Sequence, residues 1–120
     1  MKITFVLPGI GIAGGTRVVF EYANRLFKKG HKVYIVYPIF PPIIISKSKI
    51  KLIKNKVFGC LGNLKRNKVN WFNVKAKLIK VPTINPKFVN LIKNMIPNSD
   101  IIIATSWETA YFVSTLPKEK

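Results

Sequence analysis

The sequence predicts an α/β domain with an open, mostly parallel sheet and helices on both of its faces. Two short runs rich in β-branched residues, 2–7 and 32–37, are typical of buried parallel strands. A glycine-rich turn (residues 8–15) and a helical pattern separate them, which gives a strand–helix–strand unit with a right-handed crossover. The apolar run 99–105 has the character of a fully buried strand. Strands that alternate with helices in this way form a parallel sheet covered on two sides.

The first helix is predicted by doubled apolar positions that recur about every four residues, with charged and polar residues between them. Thr16 is expected to cap its amino end, and Gly30 stands where a left-handed residue commonly ends a helix. The apolar positions predicted to face the core are Val18, Val19, Tyr22, Ala23, Leu26 and Phe27.

The second half of the chain is expected to continue the alternation with less regular elements. Residues 76–81 alternate enough to form a third strand, and residues 88–96 form a short helix that ends before Pro97. A further helix begins at Trp107. Four strands make a thin sheet, and the sequence stops after a helix where another strand is expected, so the fold is expected to be an incomplete domain.

The domain organisation is predicted to be a single domain over residues 1–120, with a variable basic insertion at residues 43–70. An apolar stripe with helical spacing lies between residues 50 and 64, but two glycines interrupt it. Eight Lys or Arg residues fall within residues 47–68. Such a pattern suits a segment that lies on an anionic membrane surface.

The charge of the chain is strongly positive, because 21 Lys and Arg residues stand against four Asp and Glu residues, for a formal net charge of +17. No acidic residue lies between Glu21 and Asp100. This excess fits nucleic acid, anionic lipid or phosphorylated substrates as partners. A compositional bias toward Lys, Ile and Asn on a solvated surface would also produce it.

The sequence predicts no membrane-spanning segment and no secretion signal. The longest run without charged or strongly polar residues, 34–45, is about half the length of a spanning helix and is interrupted by prolines. The apolar run at the amino end is too short for a signal peptide. Cys60 is the only cysteine, which fits a reducing compartment. A cytoplasmic protein is expected, either soluble or peripheral at the inner face of the membrane.

The glycine turn has the spacing G-x-G-x-x-G between a strand and a helix, which is the context in which dinucleotides bind. Glycines let the backbone approach a diphosphate, and the free N–H groups of the following helix favour an anion. A purely structural turn is the alternative. A nicotinamide or flavin site lacks support from residues 36–39, because no acidic residue ends the second strand there.

Several motifs follow one another in an order that is typical of one enzyme family. The run K-I-T-F-V-L-P-G at the start is followed by A-G-G-T-R-V-V, then E-Y-A-N-R-L and then G-H-K-V, and residues 70–74, 78–82 and 100–110 add further matches. With these motifs nearly the whole chain resembles the amino-terminal domain of retaining glycosyltransferases of family 4, in particular the rhamnosyltransferase-like branch. Those enzymes have the GT-B architecture of two facing Rossmann-like domains.

The resemblance implies an enzyme that moves a sugar from a nucleotide-sugar donor to a glycan or lipid-linked acceptor. In such enzymes the first glycine turn lies under the diphosphate of the donor, and the matching positions here are Gly11, Gly14, Gly15 and Thr16. The carboxyl-terminal domain that holds the donor has no counterpart in this sequence, so the chain alone is expected to transfer no sugar. The resemblance implies no cofactor besides the donor as a substrate, and it assigns no catalytic residue.

A second candidate site follows the strand predicted at residues 99–105. Ser106, Trp107 and Glu108 come at the carboxyl end of that strand, on the same sheet edge as the glycine turn. An aromatic ring beside a carboxylate is a common way to hold a sugar. Alternatively, Glu108 only favours a helix amino end and Trp107 belongs to the core. Many relatives carry a histidine-rich stretch here, and this chain does not.

Other kinds of site find less support. His31, the only histidine, is expected at the sheet end opposite the glycine turn, and no spacing typical of metal ligands or of a Ser-His-Asp set occurs. A nucleic-acid-binding module would use the positive charge with Trp71, Phe72 and Phe58 as stacking residues. A nicotinamide- or nucleotide-binding Rossmann domain is the other alternative.

Overall fold

The computed structural model describes residues 1–40 and 69–119, and within them four strands form one parallel sheet in the spatial order β3-β2-β1-β4. The strands are β1 (Lys2–Val6), β2 (Lys32–Pro38), β3 (Lys77–Val81) and β4 (Ile101–Ala104). The helices are α1 (Gly14–Lys28), α2 (Val89–Ile92) and α3 (Trp107–Ser114). Short 3-10 turns, Pro86–Phe88 and Lys93–Met95, extend α2 on both sides.

Helices cover both faces of this sheet. Alternate residues of each strand point to opposite sides, so each strand contributes side chains to both helical layers. On one side α1 buries Phe20 and Ala23 against Phe5, Ile35 and neighbouring strand residues. On the other side α2 and α3 bury Ile92 and Phe112 with Val6, Val36 and Val81. The predicted α/β class, a Rossmann-like parallel sheet between two helical layers, is confirmed.

Helix α1 differs from the prediction at its amino end. It begins at Gly14, and the residue that precedes it, Ala13, has an extended backbone and accepts the first helical hydrogen bond from Arg17 (3.0 Å). No side chain caps this end. The prediction that Thr16 is the cap is therefore wrong: the helix begins before Thr16, which lies within its first turn.

The buried face of α1 also differs from the predicted apolar stripe. Phe20, which the stripe did not include, is fully buried, whereas Val18, Tyr22 and Phe27 are exposed. Phe20 turns inward because its ring packs against two aromatic rings of the segment before β3. At the other end of α1 the prediction is confirmed: Gly30 has a φ of 88°. Its amide and that of His31 donate to carbonyls of the last helical turn, at 3.0 and 3.2 Å.

Strand β4 is not the fully buried strand that its sequence predicts. Within the described part of the chain it pairs with β1 alone, so it forms one edge of the sheet. Ile101 is 41% exposed, and the other three residues of the strand are only partly buried. An apolar run identifies a strand but not its position in the sheet, which is set by pairing with distant residues.

Two predictions fall wholly or mainly on residues that the structure does not describe. The apolar stripe at residues 50–64 and the membrane-binding segment at residues 47–68 lie outside the described residues, as does the basic insertion at residues 43–70 apart from its last two residues. Among the described residues, no helix has both the length and the apolar character needed to cross a bilayer.

Candidate functional site at the carboxyl edge of the sheet

The candidate site lies where the chain leaves the central strand β1 and the edge strand β4. The spatial order places β2 on one side of β1 and β4 on the other, so the connections diverge between β1 and β4. The turn after β1 leads to a helix on one face of the sheet, and the turn after β4 leads to a helix on the other face. Open parallel sheets bind ligands in the crevice at such a point.

The carboxyl ends of these two strands are fixed level with each other. Val6 lies beside Ala104 in the parallel register. The next residue along β4, Thr105, donates both its amide (3.2 Å) and its hydroxyl (2.9 Å) to the Val6 carbonyl. The glycine turn and the segment Ser106–Glu108 therefore start from the same level of the same edge, as the sequence predicts.

The amino end of α1 carries donors that the chain itself does not use. The first intrahelical bond comes from Arg17, so the amides of Gly14, Gly15 and Thr16 donate to no acceptor among the described residues. Gly14 and Gly15 are exposed, and Thr16 is partly exposed. The first turn of the helix contains no acidic side chain. Three adjacent free amides and the positive end of a 15-residue helix thus face solvent at the predicted position.

Neither a positive φ nor a crowded neighbourhood requires a glycine at the four glycine positions of the turn. Gly9, Gly11, Gly14 and Gly15 lack a positive φ, since Gly30 is the only described glycine in that region of the backbone. A Cβ atom built on any of the four meets no other atom within 4 Å. The surface of these glycines is therefore open to an approaching group.

A cluster of three aromatic rings packs beside the glycine turn and contacts it at Ile10. The ring centroids of Phe20, Trp71 and Phe72 lie 5.5 to 5.9 Å apart. The Trp71 indole also donates a hydrogen bond of 3.4 Å to the carbonyl of Ile10, within the turn. The two described members of the predicted base-stacking set, Trp71 and Phe72, are thus partly buried against α1. Phe58, the third member, lies outside the described residues.

The segment before β3 is anchored to α1 by one amide side chain. Asn24 donates to the Asn73 carbonyl (2.8 Å) and accepts from the Lys75 amide (2.7 Å). Neither the sequence motifs nor the helical periodicity identified Asn24 as a connection between these elements. These bonds hold the segment that carries Trp71 and Phe72 against α1, and Trp71 in turn bonds to the glycine turn at Ile10.

The second predicted segment is organised around a buried hydroxyl, that of Thr109. Its oxygen accepts from the amides of Thr105 and Ser106, both at 2.9 Å, and donates to the Ser106 carbonyl at 2.9 Å. In return Ser106 accepts from the Thr109 amide, so the two residues form a capping box at the start of α3. The Ser106 hydroxyl also donates to Glu108 at 3.3 Å.

The side chains of this segment differ in their freedom to bind a ligand. Ser106 serves as a helix cap, and Glu108 lies in the first helical turn, where its charge favours the helix dipole. Trp107 is 60% exposed, so its alternative assignment to the core is wrong. Its ring meets that of Tyr111, which is 64% exposed, edge to face at 6.1 Å. This exposed aromatic pair lies at the sheet edge that carries the glycine turn.

Tyr37 is a residue of this edge that the sequence motifs do not single out. It lies near the carboxyl end of β2, in the buried cluster against which Ile10 and Trp71 pack. Burial raises the pKa of its hydroxyl above the ordinary value. The signal that could have found it is its place at the end of the second strand, where open α/β sheets bind the sugar of a nucleotide.

Two further titratable residues, His31 and Asp100, lie away from the carboxyl edge of the sheet. His31 lies before β2, at the opposite end of the sheet, as predicted. Asp100 also lies at that end, where its carboxylate accepts from the Lys2 amide (2.7 Å). Among residues 1–40 and 69–119, no group of three His, Cys, Asp or Glu side chains is arranged to hold a metal ion. The chain matches no protein-family model, no curated protein and no solved structure.

Proposed function

We propose that the carboxyl edge of the sheet binds the diphosphate of a nucleotide sugar, and that the chain serves as the acceptor-side domain of a glycosyltransferase. The observation that carries the proposal is the combination at the start of α1. Three free amides face solvent there, and two of them belong to glycines, Gly14 and Gly15, at which an added Cβ would touch nothing. Backbone donors with no side chain above them suit an anion that must come close.

The charge of the edge supports an anionic ligand. A diphosphate offers several acceptor oxygens, and each hydrogen bond between an ionised group and an amide contributes about 1.5–3 kcal/mol before the cost of binding is counted. Arg17 lies next to the three amides, whereas the first turn of α1 contains no acidic residue. The positive net charge would strengthen the approach of such a ligand at low ionic strength.

The second segment of the edge suits the acceptor or the sugar. Trp107 and Tyr111 expose two aromatic rings beside the crevice, and the Glu108 carboxylate lies on the same helical turn. Aromatic faces and carboxylates bind the apolar faces and the hydroxyls of sugars. In the proposed enzyme this segment would meet the acceptor, while the glycine turn meets the donor.

The alternative functions have weaker support from the described residues. A nicotinamide site would favour a carboxylate at the end of β2, where this chain has Tyr37 and Pro38. A nucleic-acid module would favour exposed stacking rings, yet Trp71 and Phe72 pack against Phe20. Free amides and open glycines suit the diphosphate of a dinucleotide as well as that of a nucleotide sugar, so the lack of a carboxylate at residues 36–39 is what favours the nucleotide sugar. A nucleic-acid module leaves the open glycines without a specific role.

The test is a comparison of two valine variants in nucleotide-sugar binding, with UDP-glucose, GDP-mannose and dTDP-rhamnose as the ligands in equilibrium dialysis. Gly15→Val adds a branched side chain beside the free amides, at a position where an added Cβ meets no residue beyond its own helix and chain neighbours. Ser114→Val adds a similar side chain at the far end of α3, where Ser114 is exposed. We expect the first variant to weaken binding of the tightest ligand at least tenfold and the second to leave it unchanged, with both close to wild type in thermal stability. Equal binding by Gly15→Val and wild type would overturn the proposal.

A further inference from the structure

Tyr37 has a buried ring with a hydroxyl that no described residue uses. The residue is 5% exposed, and its hydroxyl forms no hydrogen bond with any described residue. No fully buried side-chain oxygen or nitrogen in the described part of the chain lacks a partner. The Tyr37 hydroxyl must therefore reach solvent, while the rest of the side chain is held by the core.

The position of Tyr37 relates this hydroxyl to the glycine turn. The amide of Leu7, the residue that leads into the turn, donates to the Val36 carbonyl (2.9 Å), so Leu7 and Tyr37 are neighbours across the two strands. Both side chains belong to the cluster on the α1 face, and Ile10 of the turn packs against the same cluster. Neighbouring strands lie about 4.8 Å apart. The end of β2 and the start of the glycine turn therefore lie side by side at the carboxyl edge, on the face of the sheet that α1 covers.

The chemistry of the phenol selects the kind of group that it can meet. A neutral hydroxyl both donates and accepts, so it can pair with another hydroxyl in either direction. The group is neutral at physiological pH, because tyrosine ordinarily ionises near pH 10 and burial raises the pKa of Tyr37 further. Tyr37 need not bind the diphosphate itself, because the three amides at the start of α1 face the diphosphate in the proposed complex.

We infer that the Tyr37 hydroxyl binds a hydroxyl of a sugar ring attached to the diphosphate, either the ribose or the transferred sugar. The inference rests on the proposed function, because it places the diphosphate at the start of α1. It makes Tyr37 a specificity residue: the amides bind any diphosphate, and the phenol distinguishes a ligand that carries a correctly placed ring hydroxyl. Loss of one such hydrogen bond weakens binding by about three- to tenfold.

The experiment compares Tyr37→Phe with Tyr34→Phe, which removes the same atom from the other tyrosine of β2, nearer the amino end of the strand. The probes are the tightest binder among UDP-glucose, GDP-mannose and dTDP-rhamnose, its nucleoside diphosphate, and inorganic pyrophosphate. We expect Tyr37→Phe to weaken the nucleotide sugar three- to tenfold and to leave pyrophosphate unchanged, which also shows that the variant is folded. Tyr34→Phe should match wild type with all three probes.

The nucleoside diphosphate identifies the source of the hydroxyl. An equal loss for the nucleoside diphosphate and the nucleotide sugar assigns the contact to the ribose, and a loss for the nucleotide sugar alone assigns it to the transferred sugar. Wild-type affinity of Tyr37→Phe for both, with Gly15→Val still impaired, overturns the inference alone. An equal loss for pyrophosphate also overturns it. Binding that is absent, or that Gly15→Val does not weaken, overturns the proposed function and the inference together.

Discussion

The indole Nε1 of Trp71 donates a hydrogen bond of 3.4 Å to the carbonyl oxygen of Ile10. This bond joins the segment before β3 to the glycine turn after β1, two parts of the chain that are far apart in sequence. The same indole packs against Phe20 of α1. The glycine turn before the free amides is thus hydrogen-bonded to a ring that packs against α1.

Replacement of this indole should increase the local mobility of the glycine turn while lowering the free energy of unfolding only modestly. Trp71→Phe keeps an aromatic ring but removes the donor to Ile10, so we expect a loss of up to about 1.5 kcal/mol in the free energy of unfolding and faster amide exchange at residues 10–15. Urea unfolding and hydrogen exchange measure the two effects. Trp107→Phe is the matched control, because that indole is exposed and bonds to no described residue. Similar exchange rates in both variants would contradict the supporting role of Trp71.

The Thr109 hydroxyl should contribute to stability well beyond its size. Thr109→Val keeps the shape of the side chain but leaves the Ser106 amide without its acceptor and the Thr105 amide with only its longer bond to the Val6 carbonyl, which costs about 1–3 kcal/mol. Thr115→Val is the control, since the hydroxyl of this exposed residue only donates to the Phe112 carbonyl and its loss should cost less than about 0.5 kcal/mol. Urea unfolding compares them, and an equal loss in the two variants would refute the role of Thr109.

The buried phenol of Tyr37 should make stability sensitive to alkali. Burial raises its pKa in the folded protein, so the unfolded chain, in which tyrosine ionises near pH 10, releases the proton first. The contribution is complete below about pH 10 and is lost as the pH rises toward the folded value. Tyr37→Phe should therefore lose less stability than wild type between about pH 9 and pH 11. Thermal unfolding across this range measures it, and parallel curves would contradict the burial of the phenol.

The sequence was sufficient to predict the elements around the glycine turn, because each depends on local signals. Apolar runs identify β1 and β2, and Gly30 marks the end of α1 through its positive φ. Once two parallel strands are assigned, their carboxyl ends share one edge, so the relative positions of Gly15 and Trp107 also follow from the sequence. These predictions needed no knowledge of long-range packing.

The predictions that failed depend on distant residues. The apolar positions of α1 spread over about half of the helix circumference, and the aromatic contacts from Trp71 and Phe72 bury Phe20 at one side of that arc. Thr16 is a common type of cap, but the helix begins before it. The sequence also does not predict that the Tyr37 hydroxyl has no hydrogen-bond partner among the described residues, because this depends on which side chains surround it in the folded chain.

Diphosphate binding at the start of α1 is tested most directly by titrating the isotopically labelled chain with inorganic pyrophosphate and following the amide resonances of Gly14, Gly15 and Thr16. We expect saturable shifts at these three amides that exceed those elsewhere, because no described residue accepts from them. In the Gly15→Val variant the shifts at residues 14 and 16 should be lost while the remaining spectrum is retained. Shifts that follow the exposed Lys and Arg residues instead, with no preference for these amides, would contradict diphosphate binding at the start of α1.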